Sequence, residues 1–305
     1  MTASDGSRAL TARERLAAAL GRLYPFYSGC GMVANHPWVR RFVGDAGGHV
    51  WTQLASGRLL CPMDDHVGRS VVYMGDLDRK VSWACRKLVR PGDTALDVGA
   101  NIGMLSLFLS DIVGQRGCVH AFEPNPRTYA LLLRSISANS PRNIRAHGVA
   151  LGEAECELTL SIPQGNAGGA SLAGLAGQTI DSAVRVPVVP LDIWAQRMAV
   201  RKVDFIKMDV EGFEPQVLRG GLEFLRAVRP RAIVFEHNDT RIPCAEHPSF
   251  ALLSAIGYRF FFLPFRLLRM NACRFDPAKD GRPRSHDFVA VPGELYDELA
   301  RALHA

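Results

Sequence analysis

From residue 94 onward, apolar positions fall into short, nearly continuous runs that alternate with stretches of helical spacing. TALDV, GCVHAF, NIRAHGVALG, VDFIKMDV, RAIVFE, YRFFFLP and SHDFVAVP read as strands. MLSLFLSDIV, RTYALLLRSISANS, FEPQVLRGGLEFLRAV, HPSFALLSAIG and GELYDELARALHA read as helices. Strands apolar on both faces belong to a sheet covered on both sides. Their alternation with helices predicts a doubly wound α/β sheet, mostly parallel. No helical pattern separates YRFFFLP from SHDFVAVP, which predicts an antiparallel last strand in a hairpin-like edge. ELTLSI alternates apolar and polar positions cleanly and predicts a further antiparallel piece.

Residues 1–89 break this rhythm. TARERLAAALGRLYPF predicts a basic amphipathic helix whose apolar positions are Leu16, Ala19, Leu20 and Leu23, expected to pack at the domain edge rather than to lie on a membrane surface. HVWTQLASGRLLCPM suggests β structure and VSWACRKLV a helix, followed by Pro91-Gly92-Asp93 as punctuation. The expected division is an N-terminal helical/β cap over 1–89 and a sheet domain over 90–305.

Composition narrows the class. In 305 residues, 48% are hydrophobic and 22% charged, enough apolar material for a large core. A net charge of +6 without a long Lys/Arg run gives no dedicated nucleic-acid face. Seven dispersed cysteines with no C-x-x-C pair exclude a zinc knuckle and fit a reducing compartment. No run approaches the roughly 18 apolar residues of a membrane span. The expectation is a cytoplasmic protein with no membrane span.

The chemistry starts at TALDVGANIG (94–103). A strand breaks into a glycine turn and a helix begins, so backbone N–H groups face a ligand that Gly99 and Gly103 let approach. Asp97 at the strand end and Asn101 within the turn are candidate ligand contacts. The spacing is D-x-G-x-x-x-G, without the middle glycine of a dinucleotide cradle. Glu123 ends the next strand twenty residues after Gly103, where a carboxylate suits ribose hydroxyls. Val149 to Gly152, with Ala150 central, is placed beside an adenine. A nucleoside without a pyrophosphate fits this set, and S-adenosylmethionine is such a cofactor.

Two later strand ends carry acid–base candidates. IKMDVEG supplies Asp209 and Glu211; FEHND supplies Glu236, His237, Asn238 and Asp239. In one reading His237 takes a proton from an acceptor hydroxyl with Asp209 and Glu211 beside it. In the other, Asp209, Glu236 and Asn238 hold Mg²⁺, which acidifies the hydroxyl. Lys207 is a candidate buried ion-pair partner. The Asn/Asp-Pro-Pro-aromatic motif of amide- and base-directed methyl transfer is absent at DVEG, which favours oxygen as the acceptor atom. The loop 164–178 and the segment 266–286, with Arg266, Arg269, Arg274, Arg282 and Arg284, are candidate specificity elements.

DVGANIG (97–103), AFEPNP (121–126), VALGE (149–153), Ser171-Leu172, PLDIW (190–194), IKMDVEG (206–212), GYRFFFLP (257–264) and DFVAVP together resemble the FkbM family of methyltransferases over about residues 90–292. The resemblance implies a class I, Rossmann-like S-adenosylmethionine-dependent O-methyltransferase acting on a small-molecule or glycan hydroxyl, such as a sugar or a polyketide-type natural product. The alternatives are a nucleic-acid or other N-methyltransferase and a catalytically silent binding module of the same fold.

Overall fold

Eight strands form the central sheet: β1 (Thr94–Val98), β2 (Cys118–Phe122), β3 (Ile144–His147), β4 (Phe205–Met208), β5 (Ala232–Glu236), β6 (Tyr258–Phe262), β7 (Cys273–Phe275) and β8 (Asp287–Pro292). The structure, a computed structural model, describes residues 6–44, 46–139, 143–174, 179–238, 242–281, 283 and 285–304. Across the sheet the order is β7-β6-β8-β5-β4-β1-β2-β3. The first five strands pair in parallel, while β8 is antiparallel to both β5 and β6. The doubly wound, mostly parallel sheet with an antiparallel last strand is therefore present. The hairpin-like pair is not an edge, however. β8 inserts between β5 and β6, and the short β7 forms the border.

The stretch expected as a third strand divides. Ile144–His147 stays in the central sheet, while Ala150–Leu151 joins a separate three-stranded sheet with Cys156–Pro163 and Ile180–Val189. That small sheet carries the glycine-rich loop, whose described part includes the single turn Ala167–Gly169. FEPQVLRGGLEFLRAV breaks at Gly220-Gly221 into two short helices, Glu214–Arg219 and Leu222–Val228.

The core has two main bodies, one on each face of the sheet. One is aromatic, with Phe122, Trp194, Phe235, Phe250, Phe260 and Phe288. The other merges Leu107, Leu109, Leu132 and Val289 with Leu59, Leu60, Val71 and Val72 of the N-terminal cap. Cap strands His49–Leu54 and Gly57–Pro62 pair antiparallel. The second also bonds the helix Pro126–Asn139: Leu60 N–H donates to Ser135 Oγ at 3.1 Å, and Arg58 N–H to Asn139 Oδ1 at 2.7 Å.

The first cap helix, Ala12–Arg22, starts at a reciprocal capping box between Thr11 and Glu14. Its orientation differs from expectation. Glu14 and Ala18 are buried, whereas Leu16, Leu20 and Leu23 are exposed. Two contacts fix this rotation. Glu14 is bound by both N–H arms of Arg8, at 2.7 and 2.8 Å. Gly21 lies so close to the helix His66–Met74 that a Cβ there would sit 2.5 Å from the Tyr73 carbonyl. The small-residue face can approach closely and the leucine face cannot.

Candidate active site

β1 is apolar and central, and the chain reverses directly behind it. Gly99 and Gly103 have φ of +83° and +93°, and Asn101 follows them into the left-handed region at +52°. A Cβ at Gly99 would stand 1.9 Å from the Asp209 carbonyl oxygen, so glycine is what lets the ends of β1 and β4 close up. The N–H groups of Gly99 and Ala100 both donate to the Phe122 carbonyl, at 3.0 and 2.8 Å. The turn is thereby locked onto the end of β2.

Glu123 is buried there and held by three donors. Asn101 N–H reaches Oε2 at 2.8 Å; Asn125 N–H and Thr128 Oγ reach Oε1 at 2.9 and 2.8 Å. Burial raises its pKa against the pull of these bonds. Glu123 lines a narrow cleft with Gly99, Asn101, Ala150, Leu172 and Phe213. The cleft brings together five of the sequence-predicted cofactor contacts: Gly99, Asn101, Glu123, Ala150 and Asp209. Gly103 shapes the helix start and does not line it.

Asp97 is also absent from the cleft wall. Its side chain is fully buried, accepts from Ser106 Oγ at 2.6 Å, and faces the Lys207 ammonium at 3.7 Å. Lys207 stands opposite Asp97 in the β1–β4 register and also lies 3.5 Å from Asp209. Burial pulls its pKa down, but Asp209 and Asp97 outweigh that and hold it charged. The ion-pair role expected for Lys207 is what the structure displays.

A larger cavity of about 430 Å³ opens on the other side of Asp209. Its floor carries Lys207, Asp209, Glu211 and Glu236; its walls include Tyr27, Met32, Asp78 and Lys80 from the cap. Oxygen atoms of Asp209, Glu211 and Glu236 lie within 4.8 Å of one another. Burial and then Asp209 push the Glu211 carboxyl up to about 7, and burial with the same neighbour raises Glu236 well above the carboxylate range. Glu211 sits at φ +50°, a left-handed position that a non-glycine residue occupies at a cost of order 1–3 kcal/mol. Ser171 Oγ donates to its carbonyl at 2.8 Å, pinning the glycine-rich loop beside it. Glu211 does not cap the following helix; Glu214 instead accepts from Val210 N–H at 3.1 Å.

His237 does not reach this cavity. Successive side chains of a strand point to opposite faces, so with Glu236 turned to the cavity His237 enters the aromatic core. It is 2% exposed, its ring centroid lies 4.0 Å from that of His247, and Phe250 and Phe288 flank it. Nε2 lies 3.3 Å from the Ile242 carbonyl. Asn238 is exposed and bonds Glu211, lying beside the carboxylate cluster rather than within it. Asp239, Arg282 and Arg284 lie outside the described residues. Arg274 is engaged with Asp297 at 2.8 Å and lies over the Tyr296 ring.

Asp78, Lys80 and Asp287, which also line the larger cavity, are not among the sequence-predicted site residues. The Lys80 ammonium lies 3.4 Å from Asp78 and 2.5 Å from Asp287. A signal existed: Lys80, Ala84 and Leu88 share one helical face at i, i+4, i+8, and all three are buried. A lysine on a buried stripe needs a carboxylate partner.

The chain is similar to known methyltransferases. The family described as "Methyltransferase FkbM domain" matches residues 97–260, more than half of the chain. "Methyltransferase 1" of Beauveria bassiana is 29% identical over 150 residues, 43% of this chain and 59% of that protein. The chain thus spans under two thirds of that relative's length. Among solved structures, the methyltransferase FkbM of Methylobacillus flagellatus is similar at 16% identity and a TM-score of 0.40, over 74% of this chain and 53% of that one. A SAM-dependent methyltransferase of Agrobacterium tumefaciens is similar at 11% identity and a TM-score of 0.43, over 80% and 70%.

Proposed function

The chain belongs to the FkbM methyltransferase family, and we propose that it moves a methyl group from S-adenosylmethionine to a hydroxyl of a small-molecule or glycan acceptor. The observation that carries this reading is the junction of the two cavities. Both are lined by Gly99, Asn101, Gly168 and Asp209, so a cofactor cleft and an acceptor cavity meet at one point.

The residues fit the cofactor. Glu123, pre-oriented by its three donors, accepts from ribose hydroxyls. Val149, Leu151, Leu172 and Phe213 offer apolar walls to a base. The loop around Ala167–Ala170 forms one wall of the cleft. That loop is latched by Asp65, which accepts from Ala167 N–H at 2.5 Å and from Val67 N–H at 2.8 Å. When bound, S-adenosylmethionine supplies an electrophilic methyl group.

On the acceptor side, Glu211 takes the hydroxyl proton. Its raised pKa places it where a base is half ionised near neutral pH, and Asp209 lies beside the Lys207 ammonium at 3.5 Å. Lys207 also supplies the cation of this cluster, so the reaction as proposed needs no Mg²⁺. The acidic cavity floor and the DVEG strand end support oxygen as the acceptor atom.

Calorimetry with S-adenosylmethionine, followed by detection of S-adenosylhomocysteine against a panel of hydroxylated acceptors, tests the reading. Absence of cofactor binding at millimolar concentration would sink it. Activity in EDTA is expected to be unchanged. Loss restored by Mg²⁺ would instead favour a metal held by the carboxylates.

A further inference from the structure

Single exposed hydrophobics are ordinary, whereas a contiguous group marks a contact surface. Of twelve large hydrophobic side chains exposed among the described residues, six lie between residues 16 and 42: Leu16, Leu20, Leu23, Met32, Trp38 and Phe42. Three more, Phe265, Leu267 and Leu268, come from the loop after β6. The two segments adjoin. Tyr27 N–H donates to the Leu267 carbonyl at 3.0 Å, and Arg266 N–H to Ser28 Oγ at 3.2 Å. The helix Ala12–Arg22 packs beside the helix Pro37–Val43, with the Arg13 guanidinium 3.4 Å from the Phe42 carbonyl.

Charge on this face has one sign. Arg13, Arg15, Arg22, Arg40, Arg41, Arg266 and Arg269 are exposed around the apolar group. In the described residues 6–44 and 265–271 the one carboxylate is Glu14, buried and bound to Arg8. Leucines and the rings of Trp38, Phe42 and Phe265 set among arginines form the profile of an interfacial surface, with apolar groups entering the acyl boundary and cations meeting lipid phosphates.

We propose that this face of the cap docks on an anionic lipid bilayer. A nucleic acid would use the arginines and leave the leucines in water, while a bilayer engages both. Met32 and Phe265 also line the large cavity, so its mouth opens on the docking face. Resting on the methyl-transfer reading, an acceptor anchored in the bilayer is reached there without leaving the surface.

The test is sedimentation of the full chain with phosphatidylcholine vesicles, with and without about 30% phosphatidylglycerol, across a salt series. Binding to the anionic vesicles that falls with salt is expected. Leu20→Glu with Leu23→Glu lowers it about tenfold, while the melting temperature stays near the parent's because both side chains are exposed. No binding by the parent, or equal binding by the double variant, overturns the proposal. A dimer in light scattering without vesicle binding also overturns it and gives the face to a second copy. Salt-sensitive RNA binding without vesicle binding does the same. Neither cofactor nor turnover enters this assay, so it can fail while the methyl-transfer reading stands, and the converse.

Discussion

The backbone N–H of Asn101 donates to Oε2 of Glu123 at 2.8 Å, tying the glycine turn after β1 to the carboxylate that ends β2. With Glu123 as the proposed ribose contact, cofactor recognition and local order would depend on the same side chain. Glu123→Gln keeps the shape but replaces an acceptor oxygen with a donor. Calorimetry should show affinity for S-adenosylmethionine falling by at least about tenfold. Glu123→Ala should in addition cost about 1–3 kcal/mol of stability, since the buried N–H groups of Asn101 and Asn125 lose their acceptor.

Gly99→Ala puts a methyl group 1.9 Å from the Asp209 carbonyl at a φ of +83°. Relief requires β1 and β4 to part. Denaturant unfolding should report a loss of at least about 3 kcal/mol, larger than an average core substitution gives.

Glu211 should govern the pH–rate profile. Its carboxyl, pushed up to about 7, works as a base only when ionised, so kcat rises with pH through that value and then levels off. Glu211→Gln should lower kcat by about 10²–10⁴ and abolish the inflection. His237→Phe, which fills the same aromatic surroundings, should keep the inflection. An inflection lost in His237→Phe and kept in Glu211→Gln would reverse the assignment.

Glu214 offers a stability readout. Burial and its acidic neighbours raise its pKa to about 8, above the value of about 4.5 for the unfolded chain. Between these values the folded state holds the extra proton, so stability falls as pH rises through that window. Melting temperatures from pH 5 to 9 should decline for the parent by an amount on the order of a few degrees. Glu214→Gln should make that slope shallower, the rest coming from the raised carboxyls of Glu211 and Glu236.

Much of this was legible in the chain because sheet and turn are local patterns. TALDV, its glycines and Glu123 announced the cleft, and Asp209 with Glu211, both just past the end of β4, were legible as two carboxylates at one strand end. The misplaced residues failed on direction. Glu236 and His237 are adjacent, so a strand end cannot aim both at one cavity, and the acid took the cavity side. Asp97 belongs in the cross-strand register with Lys207, which only the pairing of β1 with β4 reveals. The rotation of the first helix was set by Gly21 against Tyr73, a contact between segments fifty residues apart that no periodicity encodes.

Asp65 accepts with one oxygen from the cap helix and with the other from the glycine-rich loop, and His66 N–H donates to the Gly165 carbonyl at 3.0 Å. A boundary drawn at residue 89 by sequence rhythm therefore cuts through a mechanical unit. In moving the cap onto another scaffold, the piece to transplant is residues 6–89 together with the stretch around 163–173. A cap moved alone would leave its latch behind.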